Sequence, residues 1–198
     1  NSLETKTSCL PRLLSPIDLQ CIKACGGTFA ESFVERLIDE QSHGDAAAAK
    51  QVRDRITKAI GTTLSEIQPG SDQARAVIEE LAMAGITSAY VEVALGPDAE
   101  VFTKSQVLSS VGYGDDIGIH PSSSWNNPEP EIVLIISPAG KVVGVTLGND
   151  VNLRDIEGRS SLLLGKAKDN NASCALGPFI RLLDNNFTID DVRSAEVS

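Results

Sequence analysis

The hydrophobic periodicity of the chain changes near residue 88, from the spacing of helices to that of strands. Before this point, apolar residues recur at steps of three or four, which is typical of amphipathic helices. After it, runs such as YVEVAL (90–95) alternate, and glycine-rich loops separate short apolar segments, which favours strands. The pattern therefore predicts an α+β protein with a helical region over residues 1–88 and a β-rich region over residues 89–198.

Three helices are predicted in the first region, each next to a capping or breaking residue. The first runs over 28–40 with Thr28 as its cap, the second begins at the cap Asp45, and the third runs from Ser71 to Met83. Gly85 ends the third helix. A short apolar helix or strand is predicted around 17–24.

A β-hairpin is predicted in the second region. EIVLIIS (131–137) and KVVGVTLG (141–148) are rich in β-branched residues, which favour strands. Pro138, Ala139 and Gly140 separate the two runs, and such a turn sequence joins antiparallel neighbours.

Charge and composition exclude some classes of function. The net charge is −10 and the isoelectric point is about 4.6, so the chain repels phosphate backbones and nucleic acid is not an expected partner. No run approaches the roughly 20 apolar residues of a membrane helix. The four cysteines are interpreted as inert thiols, with redox chemistry or metal binding as alternatives, and the expected location is the reducing cytoplasm.

Three carboxylates could hold a metal ion. Glu129 and Glu131 are two residues apart, so on a strand they point to the same side. Asp150 follows the second predicted strand, one hairpin away. Hard oxygen ligands of this kind suit magnesium, manganese or calcium. The alternative is a strand edge that carries solvated glutamates.

The order of the motifs resembles that of the fumarylacetoacetate hydrolase superfamily over roughly residues 17–183. Longer strings, such as IGIHPSSSWNNPEPEIVL (117–134), are more similar to the branch that handles 2-keto-3-deoxy sugar acids and includes 2-keto-3-deoxypentonate dehydratases. The motifs that carry the resemblance are F-x-K (102–104), E-x-E (129–131), GNDVNLRD (148–155), Gly165-Lys166 and Leu176-Gly177-Pro178.

The resemblance implies a metal site and a substrate class. It assigns Glu129, Glu131 and Asp150 as ligands of one Mg²⁺ or Mn²⁺ ion, which chelates the carboxylate and keto oxygens of a small 2-keto acid. A cation in that place makes the C3 proton of the substrate more acidic and stabilises the enolate that forms when this proton leaves.

The resemblance also implies roles for residues around the metal. Arg154 and Lys166 match substrate-binding residues, and Lys166 is also a candidate catalytic acid or base. Glu35 matches the catalytic glutamate of a lid helix, but Ser32 stands where hydrolytic relatives carry a histidine. This difference favours elimination of water over hydrolysis of a C–C bond. Lys104 of the F-x-K motif is expected to be structural or peripheral.

The implied fold is a helical N-terminal part followed by a mostly-β catalytic domain, a β-roll, which we expect to be truncated at its C-terminus, and the implied assembly is a homodimer. The favoured hypothesis is a metal-dependent lyase that dehydrates a 2-keto-3-deoxy sugar acid. The alternatives are a C–C hydrolase or decarboxylase acting on acylpyruvates, 2,4-diketo acids or oxaloacetate, and a binding module without catalysis.

Overall fold

The structure is a computed structural model that describes residues 12–27, 30–42, 45–60 and 67–195. Within it, Lys23–Phe102 form one compact unit, and the described residues before and after this segment form another. The first unit is mostly helical and the second contains a three-stranded sheet. The prediction of a mixed helix-and-strand protein is confirmed at this level. None of the described helices is long and apolar enough to cross a membrane.

The described part of the helical unit contains four α-helices that share one apolar core. Residues of all four helices lie in this core, among them the fully buried Leu37 and Leu81. The helices are α1 (Ala30–Ser42), α2 (Ala46–Ile60), α3 (Asp72–Met83) and α4 (Ala89–Leu95). The three predicted helices correspond to α1, α2 and α3, although Thr28, the predicted cap of the first, lies outside the described residues.

Capping residues fix where the helices begin. The Asp45 carboxylate accepts hydrogen bonds from the N–H groups of Ala47 and Ala48, both at 2.8 Å. The Ser71 hydroxyl accepts one from Ala74 N at 3.1 Å. Each cap satisfies backbone donors that have no partner within the helix, so both predicted starts are confirmed.

The predicted strand at residues 90–95 is wrong, because this segment forms helix α4. The hydroxyl of Ser88 caps the helix by accepting from Tyr90 N. Val91 and Leu95 are four residues apart, and both are buried in the helical core. Short apolar runs do not distinguish a strand from one buried helical face, and here packing decided the outcome.

The β-strands of the described residues form two sheets. Strand β1 (Ile22–Cys25) pairs with β2 (Val101–Ser105), and the second sheet has the order β3 (Pro130–Ile136), β4 (Val142–Asp150) and β5 (Cys174–Leu182). Strands β3 and β4 form the predicted antiparallel hairpin. Its turn closes with Ser137 N donating to Lys141 O at 2.8 Å, and Gly140 there has a φ of +73°, which glycine adopts without strain.

Short helices follow the sheet strands. They are α5 (Arg154–Glu157), α6 (Leu164–Lys168) and α7 (Ile189–Arg193), and a 3₁₀ turn (Ser161–Leu163) precedes α6. Leu153, Ile156 and Ala167 form a second small core. This core fixes α5 and α6 beside the end of β4, which is where the predicted metal ligands lie.

Candidate metal centre

The strand register places the three predicted ligands on one face of the sheet. Glu131 lies opposite Gly148, and Asp150 N donates to Glu129 O at 2.9 Å. Directly opposed residues of antiparallel strands point to the same side, as do residues two apart on one strand. A side chain at Gly148 would meet Val133 Cγ2 at 2.5 Å, so a larger residue opposite Glu131 would force Val133 to move.

Lys168 links two of these carboxylates. Its Nζ donates a short hydrogen bond to Glu129 Oε2 and another to Asp150 Oδ2 at 3.2 Å. The Lys168 and Asp150 side chains are only 3% and 7% exposed. Two buried carboxylates repel each other unless a cation lies between them, and the Lys168 ammonium supplies that charge.

A second buried lysine contacts Asp150 from strand β2. Lys104 Nζ lies 3.2 Å from Asp150 Oδ1, and its side chain is 1% exposed. Within the described residues, Asp150 Oδ1 is a buried oxygen that accepts no hydrogen bond. Lys104 was predicted to be structural or peripheral. The structure places it in direct contact with Asp150, a predicted metal ligand.

The two lysines have pKa shifts of opposite direction. Burial lowers the pKa of the Lys168 ammonium, but Asp150 and Glu129 raise it by more, so the net shift is upward. Burial also lowers the pKa of Lys104, and the Asp150 carboxylate only partly offsets this effect. The difference follows from the number of anionic neighbours, because Lys168 contacts two carboxylates and Lys104 contacts one.

A buried amide connects the metal ligands to Arg154. Asn152 Nδ2 donates to Glu129 Oε1 at 3.2 Å and to Glu157 Oε2 at 2.6 Å. Arg154 Nη1 forms an ion pair with the same Glu157 oxygen at 3.1 Å. The guanidinium also lies 6.0 Å from the centre of the Trp125 ring, a distance that permits a cation–π contact. Arg154 is therefore held in a network that reaches Glu129.

The residues fit a divalent cation in their chemistry and in the face that they share. The donors are carboxylate oxygens, which hard cations prefer, and the buried Asp150 Oδ1 lacks a hydrogen-bond donor in the described part of the chain. The side chains as placed do not form a compact cluster of three. No group of three or more His, Cys, Asp or Glu side chains among the described residues lies close enough to hold a metal ion, and Glu129 and Asp150 instead share Lys168.

Lys166 and Glu35, the two predicted catalytic residues, have different surroundings within their own units. Lys166 lies on α6 with an exposed side chain, two residues before the buried Lys168. Glu35 lies on α1 in the helical unit, 57% exposed, and forms an ion pair with Arg53 at 2.8 Å. The Glu35 side chain is therefore largely solvated within this unit.

Sequence reasoning missed Lys168, Asn152 and Glu157. The segment GKAK (165–168) contains two lysines, and the motif match selected the first. The spacing along α6 could have indicated Lys168. This residue lies four positions after Leu164, on the same helix face, and directly after the buried Ala167. Asn152 and Glu157 lie within and just after the GNDVNLRD string, where the resemblance directed attention to Asp150 and Arg154.

A cavity of about 230 Å³ lies beside the same sheet. It is lined by residues of the loop 112–117 and of strands β4 and β5, including Gly148 and Asn149. The carboxylates of the candidate metal centre are not part of its lining, although Asn149 Oδ1 accepts a hydrogen bond from Glu129 N at 3.0 Å.

Comparison with known proteins identifies relatives of one kind. The chain is 39% identical over 110 residues to the probable 2-keto-3-deoxyxylonate dehydratase of Haloferax volcanii, which covers 56% of this chain and 36% of that protein. It is 35% identical over 94 residues to the 2-dehydro-3-deoxy-D-arabinonate dehydratase of Saccharolobus solfataricus, which covers 46% of this chain and 32% of that protein. The resemblance to sugar acid dehydratases is confirmed.

The chain spans about a third of the length of these relatives. No protein-family model matches it. Among solved structures, 2-keto-3-deoxy-D-arabinonate dehydratase complexed with magnesium and 2,5-dioxopentanoate is similar, with a TM-score of 0.47 and 31% identity over 50% of this chain and 35% of that chain. The apo form of that dehydratase gives the same TM-score with 33% identity over 48% of this chain and 34% of that chain.

Proposed function

We propose that the protein is a divalent-metal-dependent lyase that removes water from a 2-keto-3-deoxy sugar acid such as a 2-keto-3-deoxypentonate. The single observation that carries the proposal is the pair of the partly buried Glu129 and the buried Asp150, with Lys168 between them. Support comes from the two dehydratase relatives, because both are named for reactions of this substrate class. The proposed ligands are Glu129, Glu131 and Asp150, and the proposed ion is Mg²⁺, with Mn²⁺ as the alternative.

The residues of the chain have separate parts in the proposed reaction. A divalent cation at the carboxylates supplies Lewis acidity that makes the C3 proton of the substrate easier to remove. Arg154 binds the anionic end of the substrate, since a guanidinium can form paired hydrogen bonds with a carboxylate. Lys168 takes the substrate-binding role that the resemblance assigned to Lys166, and its ammonium group places a positive charge beside the reacting oxygens.

The departure at Ser32 supports dehydration over C–C hydrolysis. Hydrolytic relatives use a histidine at this place in the lid helix to activate water, and serine does not act as a general base at neutral pH without an activating partner. Glu35 remains a proposed acid–base residue, although its exposure and its ion pair with Arg53 do not favour that role.

The test is turnover of a 2-keto-3-deoxypentonate with and without Mg²⁺, in the unmodified protein and in Glu131→Gln. We expect Mg²⁺-dependent loss of substrate with formation of a 2-oxoglutarate semialdehyde, and a decrease of at least about 100-fold in kcat/KM for the variant, because one metal-ligand charge is removed. Glu80→Gln is the matched control, since Glu80 is an exposed residue of α3. It should retain full activity.

The same assay distinguishes the alternative reactions. Acylpyruvates, 2,4-diketo acids and oxaloacetate are tested beside the keto-deoxy acid. Preferred cleavage of a C–C bond, or full activity of Glu131→Gln, would refute the proposed dehydratase. Magnesium binding without turnover of any of these substrates would support a binding module instead.

Three finer points belong to the same proposal. We propose that the sheet is part of the β-roll of the fumarylacetoacetate hydrolase type, that the active protein is a homodimer, and that it resides in the cytoplasm. The free thiols of Cys21, Cys25 and Cys174 support a reducing compartment. Light scattering during size-exclusion chromatography tests the dimer, and a monomeric mass at active concentrations would contradict it.

A further inference from the structure

Lys104 is an unusual residue because its charged end is fully enclosed by protein. The side chain leaves β2 and is 1% exposed. Lysine is rarely buried to this extent unless its ammonium group is paired and hydrogen-bonded. Burial without partners would cost several kcal/mol, so the contacts of Nζ explain why this residue is tolerated here.

The Lys104 ammonium group donates to three oxygens, each from a different place in the chain. It donates to Val151 O at 2.9 Å, to Lys168 O through a short hydrogen bond, and to Ser173 Oγ at 3.0 Å. An ammonium has three N–H donors, so these three acceptors use all of them. The Asp150 carboxylate lies beside the same nitrogen, with Oδ1 at 3.2 Å.

The acceptors of Lys104 flank the residues that form the candidate metal centre. Val151 follows Asp150 at the end of β4, and the Lys168 carbonyl belongs to the residue whose ammonium group contacts Glu129 and Asp150. Ser173 directly precedes β5, and the acceptors within reach of its single O–H are Asn170 O at 2.8 Å and Lys168 O at 3.2 Å. One ammonium group therefore fixes the end of β4, the end of α6 and the start of β5.

Asp150 depends on this lysine for the placement of one oxygen. Oδ2 accepts from Lys168, whereas Oδ1 accepts no hydrogen bond within the described residues. The Lys104 ammonium lies 3.2 Å from Oδ1 and forms an ion pair with it. Ion pairs with the two lysines therefore hold both oxygens of the carboxylate in place.

We propose that Lys104 is a positioning residue of the metal centre, which orients the Asp150 carboxylate and fixes the main chain at Lys168. The inference rests on the proposed function, because it assumes that Asp150 is a metal ligand. Lys104 does not act on substrate, since its three donors are directed at protein oxygens. Residues that orient metal ligands typically contribute about 10- to 100-fold in metal affinity or activity.

The test is calorimetric titration of Mg²⁺ into the unmodified protein, Lys104→Met and the control Lys141→Met. Methionine has a similar length and removes only the charge and the donors, and Lys141 is an exposed residue next to the hairpin turn. We expect Lys104→Met to bind Mg²⁺ about 10- to 100-fold more weakly and Lys141→Met to bind it normally. In activity titrations, the Mg²⁺ concentration for half-maximal turnover should rise by the same factor, with kcat at saturating Mg²⁺ within about threefold.

The outcomes distinguish this inference from the proposed function. Normal Mg²⁺ affinity in a folded Lys104→Met would overturn the positioning role, and so would normal affinity with a large loss of kcat. Failure of the unmodified protein to bind Mg²⁺ would overturn the proposed function itself. If Lys104→Met does not fold, Ser173→Ala removes one acceptor of Lys104, and this variant should bind Mg²⁺ several-fold more weakly, whereas unchanged affinity would overturn the inference.

Discussion

Lys166 and Lys168 lie on the same short helix, and their surroundings differ completely. Lys166 is exposed, whereas the Lys168 side chain is 3% exposed and contacts Glu129 and Asp150. Two positions along the chain therefore separate a solvated lysine from the lysine whose ammonium group contacts the carboxylates of the candidate metal centre. Sequence motifs identified the segment, and only the packing of α6 identified the residue.

Replacement of each lysine by methionine tests this assignment. Lys168→Met should reduce kcat/KM by at least about 100-fold and destabilise the fold by about 3–5 kcal/mol, because it leaves buried carboxylates without their cation. Lys166→Met should change kcat/KM by no more than about twofold and the free energy of unfolding by no more than about 0.5 kcal/mol. Steady-state kinetics and urea unfolding measure both effects, and the reverse pattern would restore the original assignment to Lys166.

Hydrogen bonds between Asp155 and the loop that precedes β3 make the free energy of unfolding depend on pH. Its carboxylate accepts from Ser123 Oγ at 2.7 Å and from Ser124 N at 3.1 Å. The Ser123 hydroxyl and then the Ser124 amide lower the pKa of Asp155 below its usual value. In acid, the folded state therefore binds fewer protons than the unfolded state. The contribution of Asp155 to the free energy of unfolding is fully present above the unfolded pKa of about 3.9. It is lost as the pH falls through the lower pKa of Asp155 in the folded state.

Asp155→Asn should weaken this pH dependence. The difference in melting temperature between the unmodified protein and Asp155→Asn is expected to be larger at pH 7 than at pH 2.5, because protonation of Asp155 as the pH falls reduces its charge. Asp98→Asn, at an exposed position, should show no such difference. A constant difference between the two pH values would show that the Asp155 charge does not contribute.

At the scale of elements, α4 shows where local pattern and packing disagree. The alternation in residues 90–95 predicts a strand, but Val91 and Leu95 lie in the helical core and Ser88 caps the segment. By contrast, α2 and α3 were predicted with their caps, and the β3–β4 hairpin with its turn, because those signals are local. Strand β5 was not delimited in advance, since its pairing with β4 is made over a long sequence separation.

Changes at Ser88 test whether α4 is a helix in solution. Ser88→Ala removes the hydrogen bond to Tyr90 N and should destabilise the protein by about 1 kcal/mol. Ser88→Asp keeps a carboxylate acceptor at the helix start and should leave the free energy of unfolding within about 0.5 kcal/mol. Chemical denaturation monitored by circular dichroism gives both values, and a strand at this position would instead predict no benefit from aspartate over alanine.

At the scale of the whole molecule, the sequence predicted the kind of protein better than its internal boundaries. The resemblance to sugar acid dehydratases was evident from motifs that follow one another in a fixed order along the chain. The compact helical unit extends to Phe102, beyond the predicted boundary at residue 88, since α4 belongs to it. The network Lys104–Asp150–Lys168–Glu129 joins strands and a helix that are distant in sequence, so no local pattern predicted it.

The most direct test is a crystal structure of the protein grown with saturating Mn²⁺ and measured at the manganese absorption edge. We expect an anomalous peak in contact with carboxylate oxygens of Glu129, Glu131 and Asp150, with Lys168 displaced from its bridge between Glu129 and Asp150. A peak elsewhere, or no peak while Lys168 still bridges the two carboxylates, would contradict the proposed metal centre.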